Sequence, residues 1–277
     1  MAQVYFRPGV PGALPEAWVI QPEVARRAPP VLVVHGLNRE TELMTRLLAS
    51  QADVTGRTIV LPVFDRTSWP RFQRAAGKDR ADWALLSLLE VLRSEGWIGD
   101  ATPDMSGFSG GAQFVHRFAW LYPDVVGRLC LVAPGWWTFP DMRGVYPYAM
   151  GTGCPNDTAA AFRLRANLMR FLDRDITVMV GELDVQQDRN LRQDPYVMEQ
   201  QGSNRVVRAR MWTAAALRAS RRLGLSPRIR FELMRECGHG FGDCVANGAL
   251  VRSFVPFGQT PSRLPTTKMH LRLEEVA

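Results

Sequence analysis

The sequence predicts an α/β fold: a mostly parallel central sheet with helices on both faces and a short cap inserted late in the chain. Three observations predict it. Apolar, β-branched runs such as residues 31–34 (VLVV) and 176–180 (ITVMV) read as strands buried on both faces. Longer stretches with helical spacing of apolar residues separate these runs, and strand–helix alternation makes a parallel sheet. Each run then breaks into glycine and polar residues, at the end of the sheet where open α/β folds carry their sites.

In chain order, residues 17–20 (AWVI) form an early strand, closed by a proline-rich turn at 21–30. The 31–34 strand runs into His35-Gly36-Leu37-Asn38, and a helix follows over 40–51. Residues 58–64 (TIVLPVF) form the next strand, and 79–95 an amphipathic helix ended by Gly96. A strand over 102–107 leads to Gly107-Phe108-Ser109-Gly110-Gly111, a match to G-x-S-x-G. There a serine sits on a tight strand-to-helix turn, and glycines two residues to either side give the clearance the turn needs. The helix that follows places its N-terminal N–H groups under the serine, where they favour a developing anion.

Residues 128–133 (RLCLVA) are another buried strand. The alternation then breaks over 135–175, where Trp136, Trp137, Tyr146 and Tyr148 precede a helix near 159–171; this is the expected cap, and its aromatics, with Phe108, are the expected substrate-pocket wall. The 176–180 strand ends in Gly181-Glu182-Leu183-Asp184. Of the nearby acids, Asp184 stands just past the strand end, ahead of its rivals Glu182 and Asp188. After a helix over 208–223 and a strand over 229–234, His239 falls between glycines on a loop. The polar stretch 186–202 is left open as a loop or a cover over the site, and 258–277 reads as a C-terminal tail.

The order Ser109, Asp184, His239, each past the end of a strand, is the order of a nucleophile, acid and base on a hydrolase sheet. Leu37 N–H, after His35-Gly36, and Gly110 N–H are the expected oxyanion donors. His35 is expected to serve its own loop, His116 to lie on the elbow helix and His270 in the tail.

Composition narrows the classes. With 277 residues, 46% hydrophobic and 22% charged, the chain is expected to be one domain over 1–277. No apolar run suits a membrane span and no secretory signal is apparent, so a cytoplasmic protein without a membrane partner is expected. The net charge of +7 does not imply a nucleic-acid partner, because only Lys78 and Lys268 are lysines and the arginines are spread along the chain as expected solvated surface. Cys130, Cys154, Cys237 and Cys244 lack metal-ligand spacing, so no metal is expected. Cys237 and Cys244 bracket the histidine loop and are close enough in sequence to pair, although reduced thiols are expected.

The stretches VVHGLNRE, GFSGGAQFVHRF, APGWWTFPD, GELD and GHGF together resemble the α/β-hydrolase superfamily, over about residues 31–241. Within it they look most like intracellular hydrolases related to poly(3-hydroxybutyrate) depolymerases and feruloyl-type esterases. The resemblance implies a cofactor-free serine hydrolase acting on a small-molecule ester. Phe108 departs from relatives that carry His before the nucleophile, and the polymer-binding module of secreted depolymerases is absent from the sequence; soluble esters are therefore expected over polymer. Peptide or thioester cleavage, acyl transfer, and a non-catalytic binding role remain open.

Overall fold

The structure, a computed structural model, describes residues 1–153 and 158–248. The expected 258–277 tail lies outside the described residues, as does Cys154. Eight strands form one sheet: β1 (Gln3–Arg7), β2 (Glu16–Gln21), β3 (Val31–Val34), β4 (Ile59–Val63), β5 (Asp104–Phe108), β6 (Leu129–Val132), β7 (Ile176–Gly181) and β8 (Ile229–Met234). Their spatial order is β1-β2-β4-β3-β5-β6-β7-β8, antiparallel where β2 meets β1 and β4 and parallel from β4 to β8.

The helices are α1 (Thr41–Thr55), α2 (Ala81–Ser94), α3 (Gly110–Leu121), α4 (Thr158–Leu172), α5 (Pro195–Gln201), α6 (Arg205–Arg222) and α7 (Phe241–Ala246). Strand alternation divides them between two cores. Leu32, Val34, Leu131 and Val178 face one cluster, built on α2, α3, α4 and α6. Val31, Val33, Cys130 and Met179 face the other, which α1 and α7 cover with Met44, Leu48, Phe241 and Val245. Central strands thus bury both faces, which is why they read as unbroken apolar runs.

The 135–175 stretch contains α4, whose Ala160, Leu164, Phe171 and Leu172 pack into the larger core. Trp120, on α3, stacks on Phe171 with ring centroids 4.7 Å apart and donates its indole N–H to Leu164 O. This helix serves as the crossover between β6 and β7.

One sequence expectation is corrected. Arg57, Arg117, Arg205 and Arg208 are buried, not solvated. A guanidinium tolerates burial when acceptors surround it. Arg57 bridges to Asp104 at 2.7 Å and bonds Pro29 O, while Arg208 donates to the carbonyls of Gly202, Gly135 and Arg192. Part of the basic excess therefore ties loops together inside the fold.

Candidate active site

The elbow is a backbone device. Ser109 sits between β5 and α3 with φ 52° and ψ −112°, a conformation that L-residues rarely adopt. Its N–H donates to Val132 O at 2.8 Å and its carbonyl accepts from Gln113 N–H at 3.2 Å, so both neighbouring elements hold the strained residue. The flanking glycines allow the crossing. A Cβ on Gly111 would land on the Val34 carbonyl and 2.6 Å from His35 O, and one on Gly107 would strike the backbone of Gly111.

The structure brings Ser109, His239 and Asp184 together. His239 Nε2 lies 3.1 Å from Ser109 Oγ, and His239 Nδ1 lies 2.7 Å from Asp184 Oδ2. A carboxylate only accepts, so Nδ1 carries the hydrogen and Nε2 is left to accept from the serine hydroxyl. The rival acids are placed elsewhere: Glu182 accepts the Glu236 N–H, and Asp188 pairs with Arg205. Asp184 is buried while Ser109 and His239 reach the cavity.

Leu37 and Gly110, the expected oxyanion donors, lie next to each other. A Cβ built on Gly110 would lie 3.2 Å from Leu37 N, so the two amides are neighbours beside the serine. Neither N–H donates to another group among the described residues. Two adjacent, unpaired backbone donors at a nucleophile are the arrangement that receives an oxyanion.

Two side chains hold that donor loop in place. His35 Nε2 accepts the Phe64 N–H at 3.0 Å, which leaves its Nδ1–H to donate to Gly36 O at 2.9 Å. Gly36 O and Leu37 N–H belong to one planar peptide, so His35 fixes the direction of the donor from the opposite end. Burial pushes the His35 imidazole down to about 4, and the nearby Arg39 charge acts in the same direction. Arg39, at φ 60°, donates to the carbonyls of Leu37, Phe64 and Trp69 and closes the loop over Phe72.

The cavity at Ser109 has a volume of about 270 Å³. Leu37, Leu43, Met44, Phe108 and Phe241 form its apolar wall, and Asn38, Glu40, Asn190 and Asp243 its polar rim. Phe108 is therefore one of the residues lining the cavity. Trp136, Trp137, Tyr146 and Tyr148 do not line this cavity. Trp137 is fully buried, stacked on Trp212 with centroids 4.4 Å apart. Tyr146 is buried and donates its hydroxyl to Arg74 O. Trp136 lies under Arg117 at 3.9 Å, and Arg192 stands 5.3 Å from the Tyr148 ring. The aromatic density that pointed to a substrate wall packs the β6–α4 segment onto α3 and α6. Sequence reasoning missed Leu43, Met44 and Asn190, because helix spacing shows that α1 is amphipathic but not that its first turn lies beside the serine.

His116 is buried in an aromatic box of Trp120, Trp137, Phe171 and Trp212, where burial holds its imidazole neutral well below its ordinary value. It takes no part in the site. No group of metal-ligating side chains occurs among the described residues, and no described helix is long and apolar enough to cross a membrane.

This sheet order, with a strained serine between the central parallel strand and its helix, defines the α/β-hydrolase fold. No protein-family model matches the chain, and no curated protein does. Solved structures match closely. A poly(aspartic acid) hydrolase from Sphingomonas sp. KT-1 has a TM-score of 0.74 at 21% identity, covering 90% of this chain and 97% of its own. A poly(3-hydroxybutyrate) depolymerase from Bordetella parapertussis has a TM-score of 0.73 at 24% identity, covering 93% of both chains. An S-formylglutathione hydrolase from Agrobacterium tumefaciens has a TM-score of 0.54 at 15% identity, covering 91% and 95%. At these identities the likeness establishes the fold.

Proposed function

We propose that the chain is a serine hydrolase of the carboxylesterase type, cleaving ester bonds of a soluble, partly apolar small molecule through an acyl-enzyme. The observation that carries this reading is the continuous relay from Ser109 Oγ through His239 to Asp184 at 3.1 and 2.7 Å, beside two unpaired N–H groups. His239 removes the Ser109 proton as the oxygen attacks the carbonyl carbon, and Asp184 orients the imidazole and stabilises its charged form. Leu37 and Gly110 N–H receive the oxyanion, each worth on the order of 3 kcal/mol in the transition state. His239 then protonates the leaving alcohol, and water repeats the sequence on the acyl-enzyme. The reaction as written uses only these side chains, the backbone and water.

The structural neighbours include a poly(aspartic acid) hydrolase, a poly(3-hydroxybutyrate) depolymerase and an S-formylglutathione hydrolase. The cavity favours a small ester over a polymer, because about 270 Å³ with an apolar wall suits a short acyl or alkyl group. A cytoplasmic setting fits Cys237 and Cys244, whose sulfurs stand 3.8 Å apart as thiols. The test is a p-nitrophenyl ester panel from acetate to long acyl chains, with matched thioester and anilide substrates, on wild type and Ser109→Ala. Ester turnover that vanishes in Ser109→Ala is expected. Faster cleavage of the anilide would move the reading to an amidase, and no turnover with no fluorophosphonate labelling of Ser109 would make the fold a binding protein.

A further inference from the structure

We propose that Arg205 is a positioning residue of the Ser109–His239–Asp184 relay: from the first turn of α6 it fixes the acid and sets the pH at which His239 takes a proton, with Asp188 as its counter-charge. The inference rests on the hydrolase reading above.

The geometry is specific. Asp184 Oδ2 accepts from His239, and its other oxygen, Oδ1, accepts from Arg205 Nη1 at 3.0 Å. The same Nη1 donates to Asp188 Oδ2 at 2.8 Å. Arg205 is 1% exposed, so this is a guanidinium taken out of water and set against a carboxylate that serves the site. A hydrogen bond to each oxygen removes the rotation of the carboxylate, and the imidazole is aimed by a carboxylate that cannot turn away. Asn204, which caps α6 by accepting the Val207 N–H, anchors the turn that presents Arg205.

The charges facing this cluster come from several elements. Asp184 and Asp188 follow β7, and Arg205 and Arg208 stand on α6. From the β8–α7 side come Asp243 and the buried thiols of Cys237 and Cys244, which burial keeps protonated. Arg39 and Glu40 lie across the cavity. Against the desolvation that works to raise it, the Arg205 bond and charge hold the Asp188 carboxyl below its ordinary range, so Asp188 stays ionised as the counter-charge.

Opposite signs follow for two substitutions. Arg205 opposes a positive charge on His239, so its loss makes the imidazole easier to protonate. Asp188 favours that charge, so its loss has the reverse effect. A merely structural role for the bridge predicts no such antisymmetry.

The experiment measures the rate of Ser109 inactivation by a fluorophosphonate against pH, with the His239 ring followed by NMR, in wild type, Arg205→Met, Arg205→Lys and Asp188→Asn. The acid-side midpoint is expected to rise by about one pH unit in Arg205→Met and to fall by about half a unit in Asp188→Asn. In Arg205→Lys it is expected to stay near wild type, because the charge is kept and both carboxylates are held by a single nitrogen, which an ammonium can replace. Folded Arg205→Met or Asp188→Asn with an unmoved midpoint overturns the proposal. If Arg205→Met does not fold, an unmoved or raised midpoint in Asp188→Asn does so. Wild type that is not labelled overturns the hydrolase reading, and the NMR midpoints then decide the role of Arg205 separately.

Discussion

Replacing His35 by Phe isolates the contribution of a neutral, doubly bonded imidazole behind the donor loop. The ring is fully buried and packs against Phe64 and Phe72, so Phe preserves volume and aromatic contact. What it removes is the acceptor for Phe64 N–H and the donor for Gly36 O. Gly36 O keeps the Arg39 N–H at 3.1 Å, so only the Phe64 N–H is left without a partner, and the variant is expected to lose roughly 1–3 kcal/mol at pH 7. The loss should shrink in acid. The folded-state value of about 4 lies below the ordinary 6.5, so the unfolded chain takes up the proton first. Stability due to neutral His35 is therefore complete above about pH 6.5 and is lost as pH falls through about 4. That window is worth about 3 kcal/mol, none of which Phe can contribute.

Urea denaturation of wild type and His35→Phe from pH 7 to pH 4.5 reads both effects. The stability gap should narrow by about 2–3 kcal/mol over that range. Because His116 and the carboxylates are common to both proteins, they cancel in the difference. A gap that stays constant with pH would refute the assignment of a buried, unprotonated His35. His35→Gln offers an acceptor and a donor at similar reach, and should recover much of the pH 7 stability while showing the same narrowing. Ester turnover by His35→Phe is expected to drop by about 10²-fold even where the protein is folded, because the Gly36–Leu37 peptide is no longer aimed.

Other substitutions test the remaining parts. Gly111→Ala places a methyl on the Val34 and His35 carbonyls, so soluble, labelled protein is not expected; normal fluorophosphonate labelling would contradict the elbow geometry. Leu43→Trp fills part of the cavity from α1 and should cut kcat/KM for long acyl esters by about tenfold while sparing acetate. An unchanged chain-length profile would place the acyl group elsewhere. Trp137→Ala should cost about 3–5 kcal/mol by denaturation without changing the chain-length optimum, since the ring stacks on Trp212 away from the cavity.

The sequence disclosed what depends on local pattern. The strands β3, β4, β6 and β7 were legible because two-sided burial demands apolar runs, β8 (IRFELM) because it alternates, and β5 with its elbow because the glycines are a steric necessity at known offsets. The edge strand β1 (QVYFR) was not, since its exposed polar positions look like loop. Helices α5 and α7 are too short to show a period, and α5 occupies part of the stretch that had been left open as loop or cover. Asp184 was separated from Glu182 and Asp188 by its place past the strand, and its Oδ2 lies 2.7 Å from His239 Nδ1. The aromatics at 136–148 illustrate the opposite case. Density of Trp and Tyr is the same signal whether a ring meets substrate or another ring, and the partners Trp212 and Arg192 lie far along the chain. Arg205 left no mark at all, because an arginine on a basic helix looks solvated until its helix is docked.

The position of the site follows from the strand order more than from any motif. From β3 the chain passes through α1 on one face to β4; from β5 it passes through α3 on the other face to β6. β3 and β5 are neighbours, so their outgoing loops part in opposite directions and leave a crevice at their C-terminal ends. Leu37 and Ser109 stand on its two lips, and Gly110 at the start of α3 lies against Leu37. α1 and α7, on the smaller face, supply the cavity wall, while β7 and β8 carry Asp184 and His239 in from the side. An elbow serine at any other strand would have the strain but no second donor opposite it. The crevice at the reversal of strand order is what lets four short stretches, spread from Leu37 to His239, meet at one place.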